Sequence, residues 1–168
     1  LTSGTYNFIG GYAAGSNATT ASNTVAIGNA AIGSGVLTGD DNVAIGRLAG
    51  NDLTSGTYNN FMGLQAGANV TTGTGNVFQG YQAGEFTTTA NYSIAIGYSA
   101  ISLGVLTGTD NTAIGRQAGN DLTSGTYNNF MGYRAGYNAT TASHTIAIGN
   151  AAIGLGILTG TDNTAIGR

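Results

Sequence analysis

Short apolar runs recur along the chain, each closed by a glycine and separated by stretches rich in Gly, Thr and Asn. The motif reads NFIG at 7–10, VAIG at 25–28 and 43–46, NFMG at 60–63 and 129–132, VFQG at 77–80, IAIG at 94–97 and 146–149, and TAIG at 112–115 and 164–167. The closing residues are Gly10, Gly28, Gly46, Gly63, Gly80, Gly97, Gly115, Gly132, Gly149 and Gly167, spaced by 18, 18, 17, 17, 17, 18, 17, 17 and 18. A fixed period of that size is the length of one solenoid coil. No 3.6-residue periodicity runs through the segments, so helices are not expected. The spacing predicts an all-β fold, a parallel β-solenoid (β-roll) of about ten 17–18-residue coils, and one domain over 1–168.

Two further columns sharpen this picture. Three residues after each Gly stands Ala: Ala13, Ala31, Ala49, Ala66, Ala83, Ala100, Ala118, Ala135 and Ala152. Four residues before it stands Asn in six coils: Asn42, Asn59, Asn76, Asn111, Asn128 and Asn163. A coil of this length at roughly 3.3 Å per residue, less two crossings of about 10 Å, leaves about five residues per face. That predicts a flattened two-sheet roll whose narrow interior admits small side chains, with the Ala column inside. Identical residues about 4.8 Å apart in stacked coils predict an Asn amide ladder and stacking of Phe61 on Phe78.

The core strand is apolar on both sides. Alternation sends Ala26 one way and Val25 and Ile27 the other, and a strand apolar on both faces is ordinarily buried on both. One side is the coil interior. The other, left open, is a stripe of Ile27, Ile45, Met62, Ile96, Ile114, Met131 and Ile148. A second copy of the chain is the expected cover, which makes these residues the candidate oligomer interface. The chain opens at Leu1 inside a repeat and stops one residue after Gly167, so it is expected to be a piece of a longer fibre.

At 26–33 and 147–154 (AIGNAAIG) and at 95–102 (AIGYSAIS) the chain resembles the head repeats of YadA-like trimeric autotransporter adhesins. The Gly, the Ile before it and the Ala three after it carry the resemblance. The coils here are longer than that family's usual repeat, and most read Ala-Gly where the family favours a second small residue. The NTAIGxxAG and TSGTYNNFxG arrays are also similar to repeats of phage tail fibres. The resemblance implies a left-handed roll in a homotrimer, on a bacterial cell surface or a virion, with a structural or adhesive role toward a host surface or glycan receptor.

Composition narrows the function classes. Only 7% of residues are charged and Lys is absent; the cations are Arg47, Arg116, Arg134 and Arg168. Nucleic-acid binding would need clustered Lys and Arg. No apolar run has the roughly 18 residues of a membrane helix. The single His144 corresponds to Asn23 in the matching block, a turn position. Asp41, Asp110 and Asp162 share one turn position five before the Gly, where Asp and Asn side chains bond the backbone. No calcium-loop or phosphate-loop motif occurs. No catalysis, metal or cofactor is therefore expected. Arg47, Arg116 and Arg168 follow the closing Gly and are expected to pair with turn acids. Four Asn-X-Ser/Thr sequons, at Asn17, Asn69, Asn91 and Asn138, are candidate glycosylation acceptors. Tyr12, Tyr81, Tyr98, Tyr133 and Tyr137 are candidate sugar-stacking residues of a glycan-binding module. The Thr pairs raise a more remote ice-binding alternative.

Overall fold

A computed structural model describes residues 2–154 and 156–168. The chain is an all-β parallel solenoid of ten strands in nine turns, without helix among the described residues. The strands are three residues each: β1 (Phe8–Gly10), β2 (Val25–Ile27), β3 (Val43–Ile45), β4 (Asn60–Met62), β5 (Val77–Gln79), β6 (Ile94–Ile96), β7 (Thr112–Ile114), β8 (Asn129–Met131), β9 (Ile146–Ile148) and β10 (Thr164–Ile166). They pair in chain order in a single sheet. The expected second sheet of five-residue strands is absent among the described residues. The rest of each coil is turns, whose backbone groups bond the neighbouring coils instead: Gly15 N–H donates to Ala31 O at 2.9 Å, and Ala30 N–H to Tyr12 O at 2.8 Å. Coil-to-coil stacking thus satisfies backbone that would otherwise be orphaned.

What forces turns is the recurrence of left-handed backbone. In each coil φ is positive at the Gly closing the strand, again two and four residues later, and once more five residues before the next Gly. The last column holds Asn23, Asp41, Asp110, His144 and Asp162, the turn positions expected of them. At the closing Gly two constraints coincide. Gly63 has φ of +138°, and a Cβ there would lie 2.4 Å from the carbonyl oxygen of Gly80. Neither backbone can retreat, because each is held in the coil ladder. Gly63→Ala is therefore expected to destabilise by more than about 4 kcal/mol.

The first coil is offset from its predicted register. Phe8 pairs with Val25, Ile9 with Ala26 and Gly10 with Ile27. Gly11, at φ +128°, is the equivalent of Gly28. The motif at 7–10 therefore ends one residue early. Ile9, not Phe8, points inward; Ala13 is exposed and Ala14 takes the place of the Ala column. Asn7 joins the Asn column, its Oδ1 accepting from Thr24 N–H at 2.9 Å. Gly10 has open space around it and an ordinary φ, so Gly10→Ala should shift stability by no more than about 0.5 kcal/mol. Urea unfolding of the Gly63 and Gly10 variants checks both expectations.

The interior is wider than the chain length suggested. Ala31, Ala49, Ala66, Ala83, Ala100, Ala118 and Ala135 are fully buried, but so are Phe61, Phe78, Phe130, Leu53, Leu106 and Leu122. Room for the aromatics comes from the position four after the closing Gly. It is Gly15, Gly50, Gly67, Gly84, Gly119 or Gly136 in the 17-residue coils, and a Cβ on Gly67 or Gly84 would strike the ring of Phe61 or Phe78 at 2.8 and 2.4 Å. In the 18-residue coils the same position is Ile32, Ile101 or Ile153, also at positive φ, and the strand residue across from it is Ala26, Ala95 or Ala147. A left-handed β-branched residue costs roughly 1–2 kcal/mol. Burying its side chain contributes about 1.5–3 kcal/mol, so filling the space outweighs the strain. Phe61 and Phe78 stack as expected, with centroids 5.4 Å apart.

The Asn ladder is present and buried. Asn59 donates from its N–H and its Nδ2 to Asn42 Oδ1, both at 3.1 Å, while its Nδ2 also reaches Gly73 O at 2.8 Å. Asn76 repeats this on Asn59 and Ala90. Ser93 and Thr145 stand in the same column, taking the neighbouring Asn Oδ1 through their N–H groups. Each of these amides therefore holds the turn of the following coil at a fixed height.

Candidate functional site

The stack of strands builds one continuous face. In every strand from β2 to β9 the middle residue is buried and its two neighbours point outward. One outward row is Ile27, Ile45, Met62, Gln79, Ile96, Ile114, Met131 and Ile148, each paired with the next. All seven predicted interface residues lie in it. The parallel row is Val25, Val43, Asn60, Val77, Ile94, Thr112, Asn129 and Ile146. Within the single chain this face is open: Met62 is 40% exposed, Ile146 40% and Ile27 36%. Neither row contains a charged residue. Two polar groups on it lack partners, since Oδ1 of Asn60 and of Asn129 is buried without a hydrogen bond. Gln79 Nε2 has Met62 Sδ at 3.9 Å, a weak acceptor.

A second line of side chains follows the closing Gly. Tyr81 and Tyr98 stack with centroids 5.0 Å apart. Arg116 lies over the Tyr133 ring at 4.4 Å, and Arg134 sits 5.3 Å from Tyr133 and 5.1 Å from Tyr137. Arg116 is thus held by an aromatic face, where pairing with a turn acid was expected; a cation over a ring is attracted by its quadrupole. These contacts bear on the sugar-stacking residues. Tyr81 and Tyr98 each give one face to the other, and Tyr133 gives one to Arg116. Tyr12 stands free at 81% exposure.

A third line was not foreseen. Tyr6, Tyr58, Tyr92 and Tyr127 all occupy the left-handed position five before the Gly and are strongly exposed. His144 shares it and stacks on Tyr127 at 5.2 Å. For Tyr6, Tyr58 and Tyr127 the sequence signal was the TYN triplet, which places Tyr in the same phase as Asp41 and Asn23 once the register of the first coil is set by Gly11.

The other candidate chemistry is distributed rather than gathered. Among the described residues no three acidic or His side chains converge. Asp40 Oδ1 accepts from Ser22 N–H, and Asp110 Oδ2 from the Thr109 hydroxyl at 2.7 Å. Hydroxyls of Thr54, Thr71 and Thr123 donate to the carbonyls of Thr71, Thr88 and Thr140 one coil on. Asn17, Asn69 and Asn138 occupy one phase, six after Gly11, Gly63 and Gly132. The Nδ2 of Asn17 already donates to Gly33 O and Ser34 O at 3.1 Å, and that of Asn138 to Gly154 O at 3.2 Å. Asn91 uses its Oδ1 to accept from Thr74 N–H at 2.7 Å.

One acid is buried. Glu85 is 7% exposed and accepts from Gln65 Nε2 at 3.0 Å. Burial raises its pKa above the ordinary 4.5, partly offset by a hydrogen bond from Gln82. Because the folded state holds this proton to higher pH than the unfolded state, stability falls as pH rises through the window above 4.5. Burial raises the Asp121 carboxyl in the same sense. Glu85→Gln should therefore raise the urea midpoint at pH 7 and flatten, without abolishing, the decline from pH 4 to 7.

No family model, curated protein or solved structure matches the chain.

Proposed function

We propose that the chain is a structural and adhesive segment of an extracellular fibre, built from copies of itself packed through the outward strand face. The observation that carries this reading is the charge-free double row on that face, continuous from β2 to β9 and partly exposed along its length. Ten coils at about 4.8 Å make the stripe about 48 Å long. At three residues of about 3.3 Å its width is about 10 Å, so it covers on the order of 500 Å², a large part of the roughly 800 Å² per partner of a stable protein interface. An apolar patch of that size ordinarily marks a binding surface.

Three copies around one axis is the arrangement proposed, following the resemblance of AIGNAAIG to trimeric adhesin repeats. A tail-fibre shaft would use the same packing on a virion. The fibre presents its turns outward, so the exposed Tyr6, Tyr58, Tyr92 and Tyr127 line and the Arg116–Tyr133–Arg134 cluster are the surfaces offered to a receptor. Electron micrographs test the proposal: class averages should show a rod with rotational symmetry and an axial spacing near 4.8 Å. Thin asymmetric rods one chain wide would count against it.

A further inference from the structure

The outward face is free of charge, but its two flanks are charged oppositely. Two residues before a strand stand Asp41, Asp110 and Asp162; two residues after the same strands, β3, β7 and β10, stand Arg47, Arg116 and Arg168. The one remaining cation, Arg134, also follows a strand, β8. The Asp and Arg of one coil lie six residues apart, across the strand, which at roughly 3.3 Å per residue is up to about 20 Å. Among the described residues they form no ion pair within the chain. Asp110 takes the Thr109 hydroxyl, and Arg116 lies over Tyr133. We infer that these charges pair between copies, the Arg flank of one against the Asp flank of the next, and so select a parallel, unshifted arrangement; this rests on the side-by-side packing proposed above.

Symmetry makes the match. Copies related by rotation about an axis parallel to the stack bring the flank after the strand of one against the flank before the strand of its neighbour, level by level. All three Arg are exposed, and a guanidinium over a ring keeps N–H donors for a carboxylate. A reversed copy does the opposite, since it sets the Arg flank against the Arg flank and the Asp flank against the Asp flank. The charged levels are four coils and three coils apart, so a parallel copy shifted by any number of coils keeps one pair at most. The uncharged levels match in the same sense. Tyr92 and Tyr98 flank β6, Asn23 and Asn29 flank β2, and Gly75 stands across β5 from the bulky Tyr81. Within the chain the aromatics stack along their own flanks, Tyr98 on Tyr81 and Tyr127 on His144, not across the strand. One exposed ion pair contributes little. Selection comes from the like charges that every other arrangement sets together.

The test compares full chains of equal net charge. Asp110→Arg with Arg116→Asp exchanges the two charges at one level and keeps a pair there. Asp110→Arg with Arg47→Asp has the same net charge but sets Arg against Arg beside β7 and Asp against Asp beside β3. Sedimentation at low salt should find the first chain associating as the parent does. The second should associate about tenfold or more weakly, with the deficit closing as salt screens the repulsion. Arg116→Asp with Asp41→Arg sets like charges at the same two levels with the signs reversed and should repeat the second result. Circular dichroism reads whether each chain is folded, and either mismatched chain serves if the other is not. Equal association of the matched and mismatched chains, or a matched chain as weak as the mismatched ones, would overturn the proposal while leaving the side-by-side packing in place. A parent that sediments as a single chain throughout defeats that packing first and this proposal with it.

Discussion

Phe78→Ala should lower stability by about 3–5 kcal/mol, and Gly84→Ile by more, yet the two together should cost less than their sum. Phe78 is fully buried, and its ring fills the space above Gly84, where a Cβ would lie 2.4 Å from the ring. Gly84→Ile alone therefore forces a side chain into an occupied volume at φ of +63°. The double variant recreates the arrangement of the following coil, where Ala95 faces Ile101 and both are fully buried. Neighbours that share one cavity show coupling of about 0.5–3 kcal/mol, and here the sign is set by volume. Urea unfolding of the four-member cycle reads it. Additive losses would mean that the Phe/Gly and Ala/Ile coils are not interchangeable solutions of one packing problem.

Ile96→Asp with Ile114→Asp should leave the solenoid folded and abolish association. Both side chains point away from the interior on paired strands β6 and β7, so no core contact is lost. Two carboxylates per chain in the middle of a covered seam would be desolvated beside those of the other copies, a penalty of several kcal/mol per buried ion. Circular dichroism should be unchanged while the sedimenting mass falls to one chain. The complementary change Ala95→Asp, on the buried side of the same strand, should instead unfold the middle of the molecule. The pair separates the two faces of a strand by their consequences.

The sequence made the period, the parallel stacking and the two-faced strand legible, because each leaves a fixed-phase column. The Asn ladder and the Phe61–Phe78 stack were readable for the same reason. Three things were not. The first coil contains Gly10 and Gly11 in succession, and the motif settled on Gly10; the Ala14-Gly15 pair, three and four residues after Gly11, was the signal for the correct phase. The width of the interior, expected to admit small side chains, was not legible because contour length says nothing of a Gly placed to receive a ring, as Gly67 receives Phe61. The second sheet was expected because the contour was divided evenly between two faces. Left-handed corners at residues as different as Leu48, Gln65, Tyr92 and Ile101 are set by stacking on the neighbouring coil, which no single residue announces. Of the candidate site, the Ile/Met row was legible from alternation alone. The Tyr81–Tyr98 and Arg116–Tyr133 contacts were not, since they depend on how side chains lean between coils.

The central claim is that copies of this chain cover the outward strand face. Sedimentation equilibrium of the purified 168-residue chain, followed from high to low micromolar concentration, tests it most directly. The account predicts a mass of three times the 16.6 kDa chain, persisting on dilution and lost in the Ile96→Asp, Ile114→Asp variant. A folded species of 16.6 kDa across the whole range, indifferent to those substitutions, would contradict it.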